Sequence, residues 1–591
     1  MTAEFVGQKS TVGNEGNGDR CLPTDVKKMG MFLQDPSLAK LRDNYDFPIE
    51  VDYLRGTGSS RVAIQDNDES GAEVFPGLNW ATEPDLSFEH FESQGLIDNP
   101  QFHQVNTFAV INRALDFVEE EIGHPLVWKD GSALVVRPHA FQGMNAYYDP
   151  MSPSLNFGFF TTPFRRAPVW TCLSHDIVTH ELGHAILDTF RPLYIFSPDV
   201  DTPALHESFS DLMAMFSALQ HKSVVKHLYR ETYGNMRDAS LITRLGEEFG
   251  QGIFGAGVPF LRSALEGPVY SKAPKQPHSR STVWTAAIYD ILERLVREQY
   301  PTGFAKTLEG FGNFSEALVN ATRWIKGMLL RALHYTPPNA LTMPMLARLI
   351  YEADARVFPQ DSKFRDIAKE IFQQRELWNE NIDLTVSDST VGQAFQGHTG
   401  SDATTLSRII MRHADALRIP AGTVRLISPR LITTTRQIDK VDSGNVCGIK
   451  TITEHYLEFA YEQTEYVDSF GMLVPVVVYG GGTLTMDENW NAGLIATYPE
   501  LIKADPPAEE GVKQAWARNR EQFDALHGSS ITKTLAARNE HRTLKDQPVV
   551  PGCPFVLQKM ETGAYRLMRR NCNLHDRFNG TALTKHGIVQ R

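Results

Sequence analysis

The chain has 591 residues, too many for one ordinary domain and enough for roughly two to four. Its 58 basic side chains stand against 71 acidic ones, a net charge of −13, which argues against a general affinity for nucleic acid or anionic membranes and makes substrate contact a local matter. No run approaches the ~20 apolar residues of a membrane helix, the N-terminus lacks the apolar centre of a signal peptide, and the five scattered cysteines form no CxxC pair; the expectation is a cytoplasmic protein with reduced thiols, leaderless export remaining open.

Residues 1–30 are polar and glycine-rich and read as a mobile arm. Within it Cys21 is a candidate thiolate cap for a metal, against the plainer reading of a free thiol. FPIEVDYL and SRVAIQD alternate as short strands do, so 31–100 reads as a β-rich segment and a candidate pro-segment. VNTFAVINRALDFVEEEIG (105–123) brings in the helical period and ends on a glycine stop. SALVVRPHAFQGMNAYYDPMSPSLNFGFF then reads as strands punctuated by turns. Beyond it, helical spacing of apolar residues predicts helices over 176–190, 206–220, 282–299, 314–335, 342–357 and 363–380.

The small, polar run around 386–403 is the predicted linker. After it a helix (404–417), four β-rich segments between 422 and 499 and a charged helix near 510–526 predict a separate α+β domain over 404–591, whose partner the sequence does not name. Its YGGG at 479–482 reads as a turn rather than a phosphate cradle, because no Lys-Ser/Thr follows. The last 33 residues hold seven Lys/Arg against two Asp/Glu, a basic tail that is most simply solvated.

Chemistry is concentrated in DIVTHELGHAILDTF, 176–190. Residues four apart on a helix differ by about 40° around its axis, so His180 and His184 project to one side and both can reach one metal ion. Glu181 lies about 100° from His180, badly placed as a ligand and well placed to take a proton from a water on that metal. A catalytic zinc takes three protein ligands and keeps one position open, and HESFSD further along offers Glu207 as the third. Asp211, one turn later, can accept a hydrogen bond from a ligand histidine and fix its tautomer.

HELGH followed by ESFSD resembles the thermolysin-like, or gluzincin, metalloendopeptidases over roughly residues 100–380. The resemblance implies an α+β, two-lobed peptidase domain over 101–385, with a β-rich N-lobe and a helical C-lobe. It implies the same roles: His180, His184 and Glu207 as zinc ligands, Glu181 as general base, Asp211 behind a ligand. By the same resemblance MNAYYD implies that Asn145 and the backbone of Ala146 align an extended peptide substrate, HSRSTVWTAAIY that His278 stabilises the oxyanion, and FLRS that Arg262 holds the substrate carbonyl. Tyr194, one position short of the family's tyrosine, is carried over as a second oxyanion donor. Ile177, Leu245, Phe249 and Leu261 match the primed-side pocket and imply cleavage before a bulky hydrophobic residue.

Two departures matter. The acid that orients the oxyanion histidine is replaced by Ala273. At the calcium site Asp176 and Glu247 match, whereas Ala218 and Arg244 take two acidic positions, so structural calcium is not expected. The expectation is therefore a zinc endopeptidase acting on peptides. Its rivals are a zinc aminopeptidase, whose Gly-x-Met-Glu-Asn motif is absent, and a silent peptidase-like binding protein, which would have little reason to keep Glu181.

Overall fold

The computed structural model describes residues 26–500, apart from 246–261 and a scatter of shorter breaks, together with four short strands beyond residue 554. Its class is α+β, as expected. Residues 1–25, the predicted helix near 510–526 and most of the basic tail lie outside the described residues.

The described chain opens with a hairpin, β1 (Val26–Phe32) antiparallel to β2 (Arg42–Pro48). Residues 26–30, expected in the mobile arm, are thus strand, and Met29 is fully buried. β3 (Val62–Ile64) and the short helix α1 (Phe88–Glu92) follow. The central helix α2 (Pro100–Ile122) starts where Asn99 accepts hydrogen bonds from the amides of Gln101 and Phe102, and stops at Gly123 in the left-handed conformation. β4 (Leu134–Gln142), β5 (Ala146–Asp149), β6 (Ser154–Thr162) and β7 (Arg165–Trp170) complete a five-stranded sheet in the order β3-β4-β6-β5, with β7 also paired to β6. β3, β4 and β6 run parallel; β5 runs antiparallel to β6 and forms the edge of the described sheet.

Helices α3 (His175–Phe190), α4 (Asp201–Ala218) and α5 (Lys222–Thr232), and after the two-residue pair β8 (Arg244–Leu245) and β9 (Arg262–Ser263), α6 (Pro277–Gln299), α7 (Leu308–Tyr335), α8 (Met343–Val357) and α9 (Lys363–Gln374) make the helical half. The last stops short of the expected residue 380. Glu376 adopts φ 58° and the Leu377 amide bonds back to Phe372, a left-handed cap that a glutamate does not advertise. Among the described residues no helix is long and apolar enough to cross a membrane.

After α10 (Ala403–Arg412), three long antiparallel strands, β10 (Arg425–Asp442), β11 (Asn445–Ser469) and β12 (Met472–Met486), and the shorter β13 (Ala492–Tyr498) coincide with the four β-rich segments. Two expectations about this region are corrected. The predicted linker is packed: Val391 and Phe395 are buried against Leu484, Met486 and Trp490. The described C-terminal part, up to residue 500, is also not separate, because Tyr456, Leu494 and Ala496 belong to the same continuous core as α2–α9. The glycine run is neither turn nor phosphate cradle but the middle of β12, where a Cβ on Gly481 would sit 2.7 Å from the Phe459 carbonyl oxygen.

Candidate metal centre

Helix α3 begins where the Ser174 hydroxyl accepts from the Ile177 amide. Val178, Leu182, Ala185 and Ile186 fix it in the core, and His180, Glu181 and His184 are buried with them. Such polar burial is unfavourable unless the groups are satisfied, so the neighbours of these three side chains decide what the helix is for.

The nearest neighbour is α4. Gly183 lies directly against Ser210: a Cβ there would be 2.7 Å from the Ser210 Cα. The missing side chain lets the two helices cross closely and carries Glu207 to the histidines. Glu207 Oε2 is 3.7 Å from His180 Nε2, and Oε1 is 3.8 Å from His184 Nε2. One ligand atom from each of His180, His184 and Glu207 lies within 4.8 Å of the others. Zinc bonds to nitrogen and oxygen are about 2.0–2.2 Å, so donors on one tetrahedral ion stand roughly 3.3–3.6 Å apart, close to the spacing here. Two imidazoles and one carboxylate form a donor set suited to a catalytic zinc, with a fourth position left over.

Polar neighbours orient the two imidazoles. Asp211 Oδ1 is 3.0 Å from His180 Nδ1, so that nitrogen donates and Nε2 is left to face the metal position. Behind His184 stands a residue that the sequence reading missed. His206 Nδ1 is 3.0 Å from His184 Nδ1, with the rings stacked at 28° and centroids 5.2 Å apart. The only hint in the sequence is that His206 immediately precedes Glu207.

His278 reaches the same centre from the start of α6, its Nε2 3.4 Å from Glu207 Oε1 and its side chain 31% exposed. With Ala273 in place of the family's orienting acid, Gln276 takes up that position beside His278. The Gln276 Oε1 accepts from the Ser279 amide at 2.7 Å as the helix cap, which turns the amide nitrogen towards His278 Nδ1 at 2.9 Å. A nitrogen that donates to Nδ1 leaves the ring proton on Nε2, the atom aimed into the centre.

Ala146 pairs with Phe157 as the first residue of β5, and the carbonyl of Asn145 accepts from Gly158 at 2.9 Å. β5 packs beside α3, tied there by the Tyr148 hydroxyl donating to Asp188 Oδ2 at 2.8 Å; burial pushes the Asp188 carboxyl above its usual range. Tyr194 is a correction. It is 1% exposed and donates to the Pro337 carbonyl at 3.1 Å, among Leu187, Leu205 and Phe209, so its hydroxyl is engaged in the core. For Arg262 the structure describes only the backbone, paired with Leu245; Glu247, Phe249 and Leu261 lie outside the described residues. The chain matches no protein-family model, and no curated protein matches it.

Proposed function

We propose that the chain is a zinc-dependent endopeptidase with a thermolysin-like, two-lobed arrangement, in which the sheet of β3–β7 and the helices from α4 onward flank the centre. The observation that carries this reading is the meeting of His180, His184 and Glu207 around one point, with Glu181 on the same helix as the two histidines.

A zinc ion bound there supplies a Lewis acid and brings the pKa of a bound water towards neutrality. Glu181 takes the proton of the attacking water as its oxygen adds to the scissile carbonyl, then delivers it to the departing amine as the C–N bond breaks. His278, with its proton held on Nε2 by Gln276, donates to the carbonyl oxygen as negative charge develops. The edge of β5 next to α3 offers backbone groups for an extended peptide to add as a strand. A bulky hydrophobic residue after the cut bond is the favoured substrate feature, on the family resemblance.

The test compares wild type with Glu181→Gln on an unstructured polypeptide, with zinc measured in parallel. The expected result is unchanged zinc and cleavage reduced roughly 10²–10⁴-fold. Cleavage by the variant at the wild-type rate would sink the reading.

A further inference from the structure

Away from that centre, His103 on α2, His139 on β4 and Cys172 in the turn Thr171–Leu173 just before α3 meet in the core. One ring nitrogen from each histidine and the thiol lie within 4.8 Å of one another, and all three residues are at most 1% exposed.

The hydrogen bonds around the two rings determine what can sit between them. His103 Nε2 is 2.9 Å from the Ile97 carbonyl oxygen, which can only accept, so Nε2 carries the proton and Nδ1 presents a lone pair. His139 Nδ1 is 2.9 Å from both oxygens of Asp66, so it too donates, and Nε2 of the neutral ring presents a lone pair. These two lone-pair nitrogens face each other at 2.8 Å. Two acceptors at that distance repel unless something positive lies between them, and only a proton or a metal cation is small enough.

Cys172 decides between them. A shared proton has no use for a third donor, whereas two imidazoles and a sulfur from three separate elements make a mixed nitrogen and sulfur set of the kind that holds zinc. Charge agrees: with neutral rings, the Cys172 thiolate and the Asp66 carboxylate behind His139 sum to −2, which a dication neutralises in a region closed by Trp170 and Phe75, with ring centroids 4.9 Å from His103 and His139 respectively. The carboxylate–histidine arrangement is the one that orients metal-bound imidazoles elsewhere. Donor nitrogens on a tetrahedral zinc stand roughly 3.3 Å apart, so seating the ion asks the rings to part by about half an ångström.

We infer that His103, His139 and Cys172 form a second zinc site, with three protein donors, that clamps α2 and β4 to the entrance of the helix bearing His180 and His184. Ligation releases the Cys172 thiol proton and the proton shared by the rings to solvent. No redox step is involved.

The full-length chain is stripped with a chelator, reloaded with zinc alone, and its bound zinc counted. Wild type is expected to hold two ions and Cys172→Ser one. In parallel, cobalt(II) replaces zinc. The His180, His184 and Glu207 set contains no sulfur, so a thiolate-to-cobalt charge-transfer band reports the second site whatever becomes of peptidase activity. If Cys172→Ser fails to fold, a chain in which Cys21, Cys447, Cys553 and Cys572 are all changed to Ser, leaving Cys172 as its sole cysteine, is expected to keep the band. Equal zinc counts for wild type and Cys172→Ser, or no band in the chain that keeps Cys172 alone, would overturn the proposal in favour of the shared proton.

Discussion

Arg191, the first residue beyond α3, donates to Glu458 Oε1 on β11 at 2.6 Å, and both side chains are sealed from solvent, 1% and 2% exposed. Arg191 also donates to Thr336 and to the Phe190 carbonyl, each at 2.8 Å, and Arg430 reaches Glu458 at 2.6 Å. The C-terminal sheet thereby holds the end of the helix that carries His180 and His184. Removing one partner of a buried pair strands the other, which typically costs about 3–5 kcal/mol. Glu458→Ala is expected to lower stability by that order and Glu458→Gln by less, measured by denaturant unfolding. A change for Glu458→Ala within the error of the midpoint would show that the sheet does not anchor the helix.

Gly183→Ala places a methyl group against Ser210 where no room exists. Overpacking of this kind costs about 1–3 kcal/mol, and the strain is relieved by moving α4 away from α3. Because α4 carries Glu207, the variant is expected to lose zinc affinity as well as stability, read by competition with a chromogenic chelator. Unchanged affinity would mean that the helix crossing does not set the position of the third ligand.

Asp211→Ala and His206→Ala each remove the group that orients one ligand histidine. Loss of such partners typically weakens metal binding 10–100-fold, while the three ligands themselves remain. The same competition measurement applies to both. A normal affinity in His206→Ala would leave His206 as a packing residue.

His334 is buried, stacked on Tyr456 with centroids 5.1 Å apart and set edge-on to Phe190, and neither ring nitrogen has a hydrogen-bond partner among the described residues. Burial, with Arg436 and Arg191 nearby, holds its pKa well below the ordinary 6.5. A histidine depressed in this way favours the fold above the unfolded value, and that contribution is lost as pH falls below about 6.5. Stability of wild type is therefore expected to fall more steeply than that of His334→Phe as the solution is acidified from about pH 6.5, in denaturant titrations at a series of pH values. Parallel curves would remove His334 as the cause.

Local pattern carries a long way in this chain. The helices α2–α4 and α6–α9 are written in apolar spacing, whereas α5 was not read from the sequence, and the four C-terminal strands are written in their β-branched and aromatic runs. The pair His180 and His184 follows from the helical repeat alone, because a separation of four residues fixes their common side wherever the helix is packed. Glu207 and Asp211 follow from the same repeat once a second helix is granted.

Contacts between distant segments are a different matter. Tyr194 sits close to the expected spacing, yet its hydroxyl binds the Pro337 carbonyl, and no local pattern announces that meeting. Gln276 could not be read as the residue that orients His278, since the direction of its amide depends on the cap it makes with Ser279. The C-terminal segment reads as a separate domain because periodicity reports which face of an element is apolar and is silent on which other face covers it. His103, His139 and Cys172 come from a helix, a strand and a turn that converge only in the folded core. Periodicity along the chain was enough for most of the elements and for the helix that carries His180 and His184; the partners of these elements emerge only in the folded chain, because burial and hydrogen-bond satisfaction are settled between surfaces far apart along the chain.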